Sequence, residues 1–149
     1  MKPYILSIIA GVLLSSITLV FPTIKNEIEP SIQGTWELKN FYYYDNNIII
    51  DTVGATDGYR QIKMYTKNRV MWTRYVPKDS VEWFGYGTYS VQQDKLIETL
   101  EYGSESMMEV LDTLRIFTFE LQLSQNEYSQ ISTDAEGNRI FSENYIRIE

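Results

Sequence analysis

Few side chains in this chain can do chemistry, and Glu98 has the most suggestive setting. In KLIETLEY, residues 95–102, alternation places Glu98 on one face with Leu96, Leu100 and Tyr102. A carboxylate held among apolar neighbours must be paired or hydrogen-bonded, or its pKa rises until it is neutral. Glu98 could therefore orient the polar end of a bound molecule or act as a general acid or base. It could equally serve the fold, pairing with Arg60, Arg74 or a tyrosine hydroxyl, and a reversed face would put it in water. Absences narrow the chemistry further. The chain has no Cys, which removes disulfides, thiol nucleophiles and Cys-ligated zinc. It has no His, which removes Ser-His-Asp catalysis and imidazole ligation of zinc or haem.

The remaining acidic groups form no metal loop. DAEGN (134–138) and TVGATDG (52–58) set acids beside glycines without the spacing of a calcium site, and both read as turns. No catalytic residue, metal or cofactor is assigned, and an enzymatic role is the less favoured reading. A formal net charge of −7 with no basic cluster argues against nucleic acid as a partner.

The elements that must position Glu98 read as strands. Twelve Tyr, six Phe and three Trp, with many Thr, Ile and Val, favour a pleated sheet over helices. Period-two runs recur with turn residues between them, the pattern of an antiparallel barrel or sandwich. The first strand covers about 34–44. IIIDTV (48–53) continues it past a bend or forms a short strand of its own. Hairpins are expected across Lys67-Asn68, Gln93-Asp94 and Gln125-Asn126, and RIFSENYIRIE closes the chain. Residues 104–114, SESMMEVLDTL, are the one helix-compatible segment, with Ser104 as cap, and lie over a barrel mouth or simply connect two strands. An all-β, antiparallel up-and-down barrel of about eight strands follows, because closure removes sheet edges. Its interior either is filled by side chains or holds one small ligand.

Residues 1–22, MKPYILSIIAGVLLSSITLVFP, join a short basic start to an apolar run. They read as a secretory signal, with an uncleaved membrane anchor as the alternative. The barrel is then exported, to the periplasm, envelope or extracellular space, with any membrane contact made only by this segment. Residues 23–32 read as a polar tether and 33–149 as the barrel domain.

Gly34-Thr35-Trp36 at the head of the first strand resembles the Gly-x-Trp of lipocalins and the wider calycin superfamily. In that family the Trp plugs the closed barrel end and an Arg from the last strand packs across it; Arg147 in NYIRIE matches in type and position. The hairpin sequences 63–75 and 85–104 are similar to short lipocalin-like domains of exported bacterial proteins with unassigned function. The resemblance implies a plug of Trp36 and Arg147. The chain lacks the cysteines, long C-terminal helix and haem-binding histidine of some relatives.

Alternation from Trp36 turns Leu38, Asn40 and Tyr42 inward. On the next hairpin Ile62 and Met64, with Val70 and Trp72, are the inward choices, leaving Lys63 and Arg69 outside. Gly85, Gly87, Tyr89 and Val91 share a face, as do Phe117, Phe119, Leu121 and Leu123. The candidate ligand-binding set is therefore Tyr42, Met64, Trp72, Arg74, Tyr89, Glu98, Phe117 and Phe119. The expected activity is binding of a small, largely apolar molecule, with Glu98 and either a tyrosine hydroxyl or Arg74 fixing its polar end. A packed barrel serving as an envelope-associated interaction module, through exposed aromatics such as Tyr43 and Trp83, is the second reading. A carboxylate/tyrosine isomerase or hydrolase is the third. The sequence names no protein partner.

Overall fold

The structure, a computed structural model, describes residues 29–78 and 81–149. The signal or anchor segment and most of the expected tether lie outside the described residues. Nine antiparallel strands form one sheet: β1 (Gly34–Asp45), β2 (Ile48–Gly54), β3 (Arg60–Tyr65), β4 (Arg69–Tyr75), β5 (Trp83–Gln92), β6 (Lys95–Gly103), β7 (Ile116–Leu123), β8 (Glu127–Thr133) and β9 (Arg139–Arg147). From β3 onward each strand pairs with the next, and β9 pairs back onto β1. Eight strands thus close an up-and-down barrel. β2 stands outside the ring because β3 takes Gly34–Glu37 of β1, while β2 takes only its other half, from Asn40 to Asp45. The β1–β2 turn is Asn46-Asn47, both at positive φ, as a two-residue hairpin turn matched to strand twist requires.

Between β6 and β7 lies α1 (Glu105–Leu111), shorter than the sequence pattern suggested. The Ser104 hydroxyl accepts a hydrogen bond from the Met107 amide and so satisfies one of the open donors of the first turn. Met107 and Leu111 are the buried residues of the helix, and they join the barrel core. No helix among the described residues is long and apolar enough to cross a membrane.

At the closed end Trp36 is fully buried, and its indole N–H donates to the Ile32 carbonyl at 2.7 Å. The Arg147 guanidinium sits 4.0 Å from the Trp36 ring centroid and donates to the carbonyls of Ser31, Gln33 and Gln125. Ile32 is itself buried, so the last residues assigned to the tether belong to the barrel. Gly34, at φ 132°, has Arg147 and the Glu149 carbonyl where a Cβ would lie, so any other residue would displace the plug.

Three face assignments made from alternation are corrected. In β3 the buried residues are Gln61, Lys63 and Tyr65, while Met64 is 41% exposed. The β1–β3 register explains this: Trp36 lies opposite Lys63, and paired residues share a face. In β1 the register against β9 slips between Leu38 and Asn40, so that Phe41 lies opposite Glu143 and Tyr42 opposite Ser142. The bulge reverses the alternation, turning Phe41 inward and Tyr42 outward. A second bulge, between Tyr86 and Gly87, pairs Tyr86 with Tyr102 and leaves Tyr102 52% exposed instead of beside Glu98.

Candidate functional site: a polar network beside an interior chamber

Glu98 does lie inside the barrel, only 2% exposed, and its partner is Lys63, only 3% exposed. Lys63 Nζ donates to both Glu98 carboxylate oxygens, at 2.9 and 3.1 Å, and to Gln130 Oε1 at 2.7 Å. The Tyr65 hydroxyl donates to Glu98 Oε1 at 2.5 Å and lies 3.5 Å from the Tyr128 hydroxyl. Strands β3, β6 and β8 each contribute one member of the Lys63–Glu98–Gln130 cluster, which therefore exists only once the ring has formed.

Gln130 passes the network on. Its Nε2 donates to Glu143 Oε2 at 2.9 Å, which also accepts from Gln61 Nε2 at 3.1 Å and from the Tyr145 hydroxyl at 2.6 Å. Gln61 Oε1 in turn accepts from the Tyr59 hydroxyl at 2.6 Å and from Arg74 Nε at 3.0 Å. One continuous chain of hydrogen bonds thus runs through the barrel from Tyr65 to Tyr59. Among the described residues no buried side-chain nitrogen or oxygen lacks a partner. Two cations and two carboxylates balance within it, which is what makes the polar interior tolerable.

Tyrosines wall the network. Tyr128 and Tyr145 stack at 4.7 Å, and Trp36 meets Tyr128 edge-on. Burial, reinforced by the neighbouring carboxylates Glu98 and Glu143, holds the hydroxyls of Tyr65 and Tyr145 well above the usual tyrosine pKa. Tyr128 is also held well above it, again mainly by burial, although its hydrogen bond with Tyr65 acts the other way. All three are neutral donors at physiological pH.

Between this network and the helix is a chamber of about 100 Å³. Its polar lining is Gln61, Lys63, Arg74, Glu98, Gln130 and Glu143 and its apolar lining Trp72, Leu100, Met107, Phe117 and Phe119, with Lys63 paired across strands to Trp72 and Glu98 to Phe117. Gly85 makes room for the aromatic wall, since a Cβ there would come 2.7 Å from the Trp72 ring nitrogen. Five of the eight sequence candidates meet here: Trp72, Arg74, Glu98, Phe117 and Phe119. Tyr42 and Met64 face outward. Tyr89 faces the barrel but away from the chamber, in edge contact with Tyr65, its hydroxyl bound to the Thr66 carbonyl at 2.7 Å. Gln61, Lys63, Gln130, Glu143 and Met107 were not singled out from sequence. For Glu143 a signal existed, because an inward Arg147 implies an inward Tyr145 and Glu143 at steps of two.

No family model matches the chain, and no curated protein sequence does. Among solved structures it is similar to an uncharacterized protein from Bacteroides eggerthii DSM 20697, determined at 2.60 Å. The two share 16% sequence identity with a TM-score of 0.49, over 77% of this chain and 98% of the other.

Proposed function

We propose that this is an exported, lipocalin-like barrel that binds a small, largely apolar molecule in the chamber under α1. The observation that carries the reading is the lining of that chamber, where aromatic and aliphatic side chains stand beside charged and amide groups held in a hydrogen-bond network. Such a pocket gives an apolar body contact area and a polar end direction. At about 100 Å³ it holds the volume of roughly three or four waters, so the part of a ligand buried there is compact. The Gly34-Thr35-Trp36 motif with Arg147 stacked on Trp36 supports the lipocalin-like part, and the apolar run of residues 1–22 supports export.

Native mass spectrometry of the purified protein, before and after organic extraction, tests the binding. A reproducible added mass of a small organic molecule, lost on extraction, is the expected result. A bare protein mass, together with unchanged Trp fluorescence across a panel of small apolar probes, would overturn it.

A second reading has its own observation. On β2, Ile48 is 67% and Ile50 is 65% exposed, with Ile49 and Val53 also exposed, and among the described residues the strand pairs only with β1. An apolar strand with a free edge is a template for protein contact. If it serves that purpose, Ile48→Lys with Ile50→Lys should leave the unfolding free energy within about 0.5 kcal/mol of wild type and abolish any self-association or partner capture. Light scattering and denaturant titration read the two effects separately.

A further inference from the structure

The four charged groups lining the chamber differ in how completely their hydrogen-bonding capacity is used. Glu98 accepts twice from Lys63 and once from Tyr65. Lys63 divides its ammonium between Glu98 and Gln130. Glu143 accepts from three neutral donors, Gln61, Gln130 and Tyr145, all at Oε2, and turns Oε1 toward Arg74. Arg74 is the less used of the two cations. Its Nε donates to Gln61, while its nearest approach to Glu143 is 3.7 Å from Nη2, an ion pair beyond hydrogen-bond length. A guanidinium has five N–H donors, so both terminal nitrogens of Arg74 keep donors without an acceptor among the described residues.

Arg74 also occupies the right place. It lines the chamber beside Trp72, two residues away on the same face of β4, its side chain is 32% exposed, and the Trp83 ring lies 6.0 Å from it. It therefore reaches from the chamber lining to solvent. A ligand whose apolar body rests against Trp72 and Phe117 would present its other end to the guanidinium fork. What that fork lacks is acceptors, and a planar anionic pair of oxygens supplies two in matching geometry. Glu143 fills this role only in part: its Oε1 stands 3.7 Å from Nη2, beyond hydrogen-bond length, and its Oε2 is taken by three neutral donors.

We infer that the ligand is a small carboxylate, its two oxygens bound by the terminal nitrogens of Arg74 and a short branched apolar body seated in the chamber. The inference rests on the chamber being a binding site, as proposed above, and adds the chemical class. Lys63 and Glu98 form the preorganised floor and make no new bond to the ligand, since their capacity is filled before it arrives.

Isothermal titration of the full-length protein with isovalerate, isovaleramide and isoamyl alcohol separates the two ideas. These share one branched body and differ in the polar end. The expected result is binding of isovalerate at least about tenfold tighter than either neutral analogue, the margin typical of charge-assisted hydrogen bonds. Arg74→Gln should remove that margin while the neutral analogues bind as before, and Arg74→Lys should restore only part of it. Equal or tighter binding of the amide or alcohol would overturn the carboxylate assignment and leave the chamber as a binding site. No binding by any of the three would overturn both. A preference for isovalerate that survives in Arg74→Gln would also overturn the assignment, by placing the carboxylate on another group. Circular dichroism of each variant verifies that it is folded.

Discussion

Lys63→Met is expected to destabilise the protein by roughly 3–5 kcal/mol at neutral pH, the range for removing one partner of a buried ion pair. The side chains of Lys63 and Glu98 are only 4% and 3% exposed, so solvent screening gives little relief. Without the ammonium, Glu98 keeps only the Tyr65 hydroxyl, and Gln130 Oε1 loses its donor. The buried carboxylate is then best accommodated by taking up a proton. The unfolded chain keeps that carboxyl ionised down to the ordinary glutamate value of about 4.3, so the destabilisation should shrink as pH falls from neutral toward that value and change little below it. Removing both charges, in Lys63→Met with Glu98→Leu, should cost less than the sum of the two single changes, with a residual loss because Gln130 Oε1 and the Tyr65 hydroxyl each lose a partner. Denaturant unfolding of the two single variants and the double variant closes the cycle. A loss under about 1 kcal/mol in Lys63→Met would mean that water reaches Glu98 and that the interior is not as dry as its packing implies.

The second large effect is alkaline. Tyr65, Tyr128 and Tyr145 are fully buried, and burial with nearby carboxylates raises each well above the ordinary tyrosine value near 10. Below pH 10 these hydroxyls are protonated in folded and unfolded chains alike, so they add no pH dependence. Above it the unfolded chain releases three protons that the folded chain retains. Their contribution to stability is therefore complete below pH 10 and is lost as pH rises toward the folded pKa values. With all three counted, the slope reaches roughly 4 kcal/mol per pH unit. Absorbance of tyrosinate near 295 nm should show three tyrosines that ionise only together with loss of the fold. Smooth titration of all twelve near pH 10, with the fold intact, would contradict the buried assignment.

Much of this architecture can be read from residue order. The turns at Lys67-Asn68, Gln93-Asp94 and Gln125-Asn126 separate the strands that pair, and Ser104 marks the start of the helix. The candidate site was half legible. Trp72, Glu98, Phe117 and Phe119 follow from alternation because their strands run regularly through those positions. Lys63 was hidden by the rule that charged residues face water, which fails when a distant strand supplies the opposite charge. Local periodicity carries no information about a partner 35 residues away. Tyr42 and Tyr102 were misplaced for a different reason. Each follows a bulge, and one extra residue reverses every later side chain without any composition signal to announce it.

The ring is closed by the pairing of β1 with β9, and this seam has a kinetic meaning. Seven of the eight joints in the ring link neighbours in the chain or span a short excursion, and their loop-closure cost is modest. The seam alone joins segments as far apart as Ser31 and Arg147, 116 positions in sequence. High contact order of this kind slows folding, and the longest loop is favoured to close late. Stacking of Arg147 on Trp36 therefore marks the moment at which the sheet becomes a barrel. Until then the Lys63–Glu98 pair has no sealed interior to occupy, and the rate of folding is governed by how often the two ends of the sheet meet.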